Sequence, residues 1–346
     1  MNALPYLVAY VLPISFFAGL ALGGAWMLLP VFVAFGLIPL LDPFVGRDES
    51  DPAEADAENP AFDLVLKGWI PAQLAVFGAA LWWIAAGGGT TLEWFAITLS
   101  TGVVAVGGGI NVAHELMHRR GAVDRALAEL LMTMTTYTHF CVEHVLGHHK
   151  NVATPNDPAS SRLGESVYTF IPRSVVGGLV SAWRLEAART GRRNIPWTSL
   201  SDRRTRGVLQ VGGAYALVFA AAGVPGVLWF GAQSAIAIVL LEVINYVEHY
   251  GLSRAEVAPG RYERVQPHHS WNATQRLTNW FLFNLPRHAD HHAWAHRRYN
   301  ELRAWPDAPS MPYGYPTMVL IALVPPLWFM VMNPRVAAVR RAEQAA

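Results

Sequence analysis

Nine of the thirteen histidines in this 346-residue chain fall into four tight clusters. The first is His114-Glu115-Leu116-Met117-His118. Residues four apart share one face of a helix, so two imidazoles at this spacing can grip one metal ion. The second is Glu143-His144-Val145-Leu146-Gly147-His148-His149. On an α-helix His144 and His148 share a face, and His149 lies about 100° further round, where it can face a second metal. The third is Asn245-Tyr246-Val247-Glu248-His249-Tyr250-Gly251, with one histidine at the end of an apolar run. The fourth is His288-Ala289-Asp290-His291-His292, in which a helix would bring His288 onto the face of both His291 and His292.

Neutral imidazole is the commonest side-chain metal ligand. Nine of them are too many for one ion and suit two. Imidazole serves iron, copper, nickel and zinc alike. The spacing of His114 and His118 is also that of the soluble zinc motif His-Glu-x-x-His, so spacing alone does not exclude zinc chemistry. His139, His268, His269 and His296 fall outside the set, and a surface or supporting role is expected for them. Glu115, Glu143, Glu248 and Asp290 stand beside the ligand candidates. They can accept the other N–H of a ligating ring or pair with nearby arginines such as Arg119, Arg287 and Arg297. Asn245, one helical turn before His249, is a further supporting candidate.

Elements of particular length must bring these clusters together. The chain is 53% hydrophobic and only 15% charged, against about a quarter charged in a soluble domain. Six runs are long enough to cross a bilayer, near 5–23, 25–43, 68–86, 92–111, 207–223 and 227–248. Glycine- and proline-rich turns pair them into three hairpins, leaving the N-terminus, 44–67, 112–206 and 249–346 on one side. All 26 Lys and Arg fall in those stretches. Excess Lys and Arg mark cytoplasmic loops, so both termini and the histidine clusters are expected in the cytoplasm. The expected fold is an all-α membrane protein, six transmembrane helices capped by a histidine-rich helical layer, forming one catalytic domain over 1–346. The first run lacks the charged leader of a signal peptide and is expected to remain as a span. The acidic stretch 46–60 reads as a solvated linker. The proline-interrupted stretch 316–332 is expected to lie at the interface or re-enter. Net charge is +1, which gives no field for nucleic acid. A single cysteine, Cys141, excludes a disulfide framework, a four-cysteine zinc site and a built-in iron–sulfur domain.

Taken as an ordered set, the clusters resemble the histidine boxes of the membrane alkane 1-monooxygenases, relatives of the membrane fatty-acid desaturases and hydroxylases. The segment 245–251 resembles the motif that separates alkane hydroxylases from desaturases. Asn151 to Ser160, Gly260 to Arg264 and Pro267 to Asn272 also match the family pattern. The resemblance implies two non-haem iron ions held by His114, His118, His144, His148, His149, His249, His288, His291 and His292. It implies conversion of an alkane, O2, two electrons and two protons to a 1-alkanol and water in a bacterial-type inner membrane. Rubredoxin, fed by an NAD(P)H-dependent rubredoxin reductase, is the implied electron donor. One departure is Pro286, where the family commonly has Gln. Rival readings are a hydroxylase of aryl methyl groups, a fatty-acyl desaturase or hydroxylase, and a membrane metal transporter. A transporter needs polar residues in mid-span, whereas these ligands sit at span ends. Gly102, Gly107, Gly108 and Gly109 can open a slot for the substrate chain or serve helix packing, and packing is favoured. Trp82, Trp83, Trp94 and Phe95 fit interfacial anchors better than limits on chain length.

Overall fold

The computed structural model describes residues 3–52 and 59–345. The protein is mostly helical. Among the described residues, five helices are long and apolar enough to cross a membrane: α1 (Leu4–Leu22), α2 (Gly24–Val45), α3 (Pro60–Ala85), α4 (Thr91–Met117) and α8 (Arg203–His249). With one histidine cluster ending α4 and another ending α8, they mark an integral membrane protein. Between α4 and α8 come α5 (Ala122–Thr133), α6 (residues 140–151) and α7 (Val167–Arg192). After α8 follow a small antiparallel pair, β1 (Glu256–Ala258) and β2 (Arg261–Tyr262), then α9 (Arg276–Phe281), α10 (His288–Ala293), α11 (Tyr315–Ala322) and α12 (Pro325–Ala345).

The turns are held by identifiable groups. Thr90 and Glu93 form a reciprocal cap at the start of α4. The other oxygen of Glu93 accepts the Gly24 N–H at 2.8 Å, tying the α1–α2 turn to the α3–α4 turn. Helix α8 is 47 residues long but broken at Gly223, whose φ of 60° and ψ of −152° suit glycine and not a side chain. Tyr215 and Phe230 stand 4.7 Å apart across this break. On a straight helix they would be about 22 Å apart, so the two halves fold back on each other.

Two helices overrun their expected limits. Helix α3 begins at Pro60, because Asn59 caps it and its first turns carry the water-seeking Asp63 and Lys67. Helix α4 continues to Met117 and so carries His114 into the protein. Its glycines serve packing. A Cβ on Gly108 would run into the buried Trp69 indole, and Gly102 and Gly109 lie against Ile236 and Gln73.

Helix α7 crosses the histidine-bearing end of the bundle. Phe170 packs on Tyr246, and Glu186 accepts the Arg203 N–H at the start of α8. Helices α11 and α12 cover the end of α8, with Trp328 against Tyr246 and the Tyr250 hydroxyl donating to Asn333. The stretch 316–332 is thus two helices parted at Pro325, a residue suited to a helix start.

At 46–50 the linker is solvated as expected, with Arg47, Glu49 and Ser50 exposed, but its backbone is tied down. Gly46 O accepts from Arg276 N, and Asp48 N donates to Thr274 O. The guanidinium of Arg287, 2% exposed, donates to Ser50 O and Leu302 O and faces Asp48 at 3.5 Å. A buried cation needs such partners, and they fix this segment. Within the acidic stretch, residues 53–58 lie outside the described residues.

Candidate metal centre

The four histidine clusters converge into two adjoining groups. His114, His118, His144, His149 and His291 form one; His148, His249, His288 and His292 form the other. In each group one ligand atom per residue lies within 4.8 Å of all the rest. The end of α4 supplies His114 and His118, helix α6 supplies three rings, the end of α8 supplies His249 and helix α10 supplies three. The groups adjoin where His149 stacks on His292 at 4.4 Å.

Helix α6 sorts its histidines differently from an ordinary α-helix. His144 to His148 form a π-turn, in which residues five apart come onto one face. His144 therefore meets His149, Nε2 to Nε2 at 3.1 Å, and His148 points to the other group. The expected sharing of a face by His144 and His148 is replaced by this register, and His149 still parts from His148. Helix α10 divides in the same way. His288 and His292 approach at 2.9 Å in the second group, and His291 joins the first.

The chemistry of the donors fits metal ions. Nε2 of His114, His118, His148 and His291 is buried without a hydrogen-bond partner among the described residues. Leaving such atoms unpaired is costly unless something takes their lone pairs. Burial drops His118 to about 3 and holds His144, His149, His288, His291 and His292 well below the ordinary histidine range. These rings are neutral near pH 7, the form that binds a metal. His148 is the exception. Burial disfavours its charge, but Asp157, together with Glu143 and Glu242, more than offsets that and raises it.

Asp157 is a supporting residue that the spacing of the clusters does not reveal. Its Oδ2 lies 2.9 Å from Nδ1 of His148 and accepts the Ser160 hydroxyl at 2.6 Å. This fixes the ring with Nε2 turned to its group, the usual role of a carboxylate behind a ligand. The carboxylates beside the clusters behave otherwise. Glu115 accepts from Arg119 at 3.1 Å, and Asp290 from Arg297, the Trp305 indole and Arg303 N. For these two, pairing with nearby donors outcompetes a bond to a ligand ring. Glu143 bonds no ligand ring; its oxygens fill the space that Gly147 leaves. Asn245 donates to Glu242, which also accepts from the Tyr137 hydroxyl at 2.9 Å. Glu248 stands 3.2 Å from Nε2 of His288, on the nitrogen that faces the group. On that side it does not prop the ring from behind.

Glu263, His268 and His269 form a third close group. There, Nδ1 of His269 accepts the Gln266 N–H at 2.9 Å, and Nε2 faces Glu263 at 3.3 Å. A neutral ring so engaged carries its proton on Nε2 and keeps no lone pair for an ion. His269 instead caps the short turn Pro267–His269.

A narrow apolar cavity ends on both histidine groups. Val106, Ile110, Phe140, Leu241, Ile244 and Leu285 wall it, Asn111, Asn245 and Glu248 add polar groups, and His114, His144 and His288 close it around a space of about 20 Å³. The π-turn Ala105–Ile110 in α4 shapes this wall.

A bundle of long apolar helices with histidines clustered at one end is a membrane protein with sites able to hold metal. The family model described as fatty acid desaturase matches residues 92–321. Alkane 1-monooxygenase 2 of Pseudomonas aeruginosa is 42% identical over 92% of this chain and 86% of its own length. Alkane 1-monooxygenase 2 of Alcanivorax borkumensis is 39% identical over 94% of this chain and 87% of its own. The xylene/toluene monooxygenase hydroxylase component XylM of Pseudomonas putida is 28% identical over 97% and 89%. The chain belongs to the alkane 1-monooxygenase family.

Proposed function

We propose that this protein hydroxylates linear alkanes at the terminal carbon, with two non-haem irons held by the nine clustered histidines. The observation that carries the reading is the apolar cavity ending on His114, His144 and His288. The balanced reaction is R–CH3 + O2 + 2 e⁻ + 2 H⁺ → R–CH2OH + H2O. When bound, the irons supply the activation of O2. The chain's residues do the rest. Leu241, Ile244, Leu285 and Phe140 exclude water and direct an unfunctionalised chain end towards the histidines, and Asp157 holds His148 in register. An alkane has no polar handle, so fit alone selects it. A methylene in an apolar pocket is worth about 1–3 kcal/mol, which gives a broad range of chain lengths.

The reading includes six spans in three hairpins, the break at Gly223 being the third reversal. Positive-inside charge supports a bacterial inner-membrane location with both termini and the metal centre cytoplasmic. Electrons come from outside the chain, which has one cysteine and no nucleotide-binding fingerprint. Rubredoxin and its NAD(P)H-dependent reductase are the proposed source.

Iron-loaded protein, supplied with reductase and rubredoxin, is tested with linear alkanes, m-xylene and a fatty-acyl substrate. Formation of 1-alkanols as the main products is expected. Oxidation confined to a ring methyl or an acyl chain rejects the substrate assignment.

A further inference from the structure

The apolar cavity is the first of three that share walls. Through Phe140, His144 and Asn245 it adjoins a small polar cavity bordered by Tyr137, Ser174 and Glu242. His139 in turn separates this from a third, of about 390 Å³, between α7 and the first turns of α8. The sequence of walls runs from the metal centre to the outside of the protein, through a polar middle section.

The third cavity has two characters. Leu179, Trp183 and Val208 flank it and are themselves exposed on the apolar surface of α7 and α8. Thr138 and His139 line its inner end. Nε2 of His139 is buried and, among the described residues, has no hydrogen-bond partner. Burial lowers this ring to about 4, so it meets a ligand as a neutral donor or acceptor. The arginines at the mouth are already matched. Arg203 faces Glu186 at 3.3 Å, and Arg204 holds Asp202 at 2.6 Å. Nothing in the cavity therefore calls for an anion. Gly207 leaves the inner end open, since a Cβ there would meet the Thr138 hydroxyl at 2.6 Å.

We propose that this cavity holds the primary-alcohol product on its way out, hydroxyl against His139 and Thr138, alkyl chain along Leu179, Trp183 and Val208 towards the lipid. The identity of the ligand rests on the alkane-oxidising reading above. A hydrocarbon gains nothing from His139, whereas its 1-alkanol gains a hydrogen bond. The cavity thus distinguishes product from substrate and gives the product a route that does not retrace the entry of the alkane. Passage requires the His139 ring to swing aside, because the connecting cavity is small.

The test uses the full-length protein in lipid nanodiscs and a 1-alkanol carrying a photoreactive diazirine on its chain. After irradiation, adducts are mapped by mass spectrometry. Labelling of Leu179, Trp183 and Val208 is expected, suppressed by excess 1-decanol and not by decane. In H139F, competition should need roughly tenfold more 1-decanol, the worth of one hydrogen bond. T138V provides an independent second loss, and V208W should fill the cavity and abolish labelling. Iron content measured alongside shows that each variant has kept its fold. Equal suppression by decane, or labelling only elsewhere, overturns the proposal. Labelling needs no turnover, which separates the two readings. Alkane oxidation without labelling here removes this site alone. Labelling without alkane oxidation removes the alkane reading, and the product role with it.

Discussion

Asp157 Oδ2 lies 2.9 Å from Nδ1 of His148, and both side chains are buried. The contact locks one tautomer of a ring whose other nitrogen faces the second histidine group. Removing such a carboxylate typically costs 10–100-fold in metal affinity or activity. Asp157→Asn should therefore keep the fold and lose iron by roughly that factor, measured by equilibrium against a chelator. Unchanged iron affinity would show that His148 needs no anchor.

His249 is the only ring that α8 contributes, and it closes the group of four. His249→Ala should lower bound iron towards one ion per chain and remove alkane oxidation with it. The other group draws on α4, α6 and α10 and should keep its ion. A fully metallated, active variant would take His249 out of the centre.

Gly108 presses on Trp69, which is fully buried. Overpacking of this kind costs about 1–3 kcal/mol, more than alanine's usual gain over glycine in a helix. Gly108→Ala should lower the thermal midpoint in detergent, and the added change Trp69→Phe should recover part of the loss. An Ala variant as stable as the parent would mean that α3 and α4 are not packed this closely.

Glu165 accepts two hydrogen bonds from Arg173, at 2.7 and 2.8 Å. Burial opposes its charge, but Arg173 and the Arg162 N–H more than offset this and hold the carboxyl below the usual glutamate range. A carboxyl depressed by folding stabilises the native state above its ordinary value and loses that contribution as pH falls through the depressed one. The thermal midpoints of the parent and Glu165→Gln should differ most at neutral pH and converge as pH falls below about 4. A gap that does not change with pH would show that the pair contributes nothing through charge. The pair also bears on the centre, because Glu165 O accepts from Tyr246, three residues before His249.

The parts of this arrangement that follow local periodicity are legible in the sequence. His114 and His118 sit where an apolar run ends, and so does His249, so their common level follows from span length. The register of His144, His148 and His149 is not legible, because an α-helical period cannot show a π-turn. Asp157 is hidden for another reason. It reaches His148 from an irregular segment, where no period links residues nine apart. The docking of Gly46 and Asp48 onto Arg276 and Thr274 joins positions more than 200 residues apart. Composition shows that stretch as solvated, and nothing local shows that its backbone is also tied down. The carboxylates next to the clusters mislead because adjacency in sequence does not set direction. Glu115 and Asp290 turn away to arginines, and Glu248 turns inward.

The central claim is that two irons share nine imidazoles. Metal analysis of the purified protein, paired with X-ray absorption at the iron edge, tests it directly. The account expects two irons per chain in a shell of nitrogen and oxygen donors, and loss of iron when His114 or His292 is replaced by alanine. A single ion per chain, or zinc in place of iron with alkane oxidation retained, would contradict it.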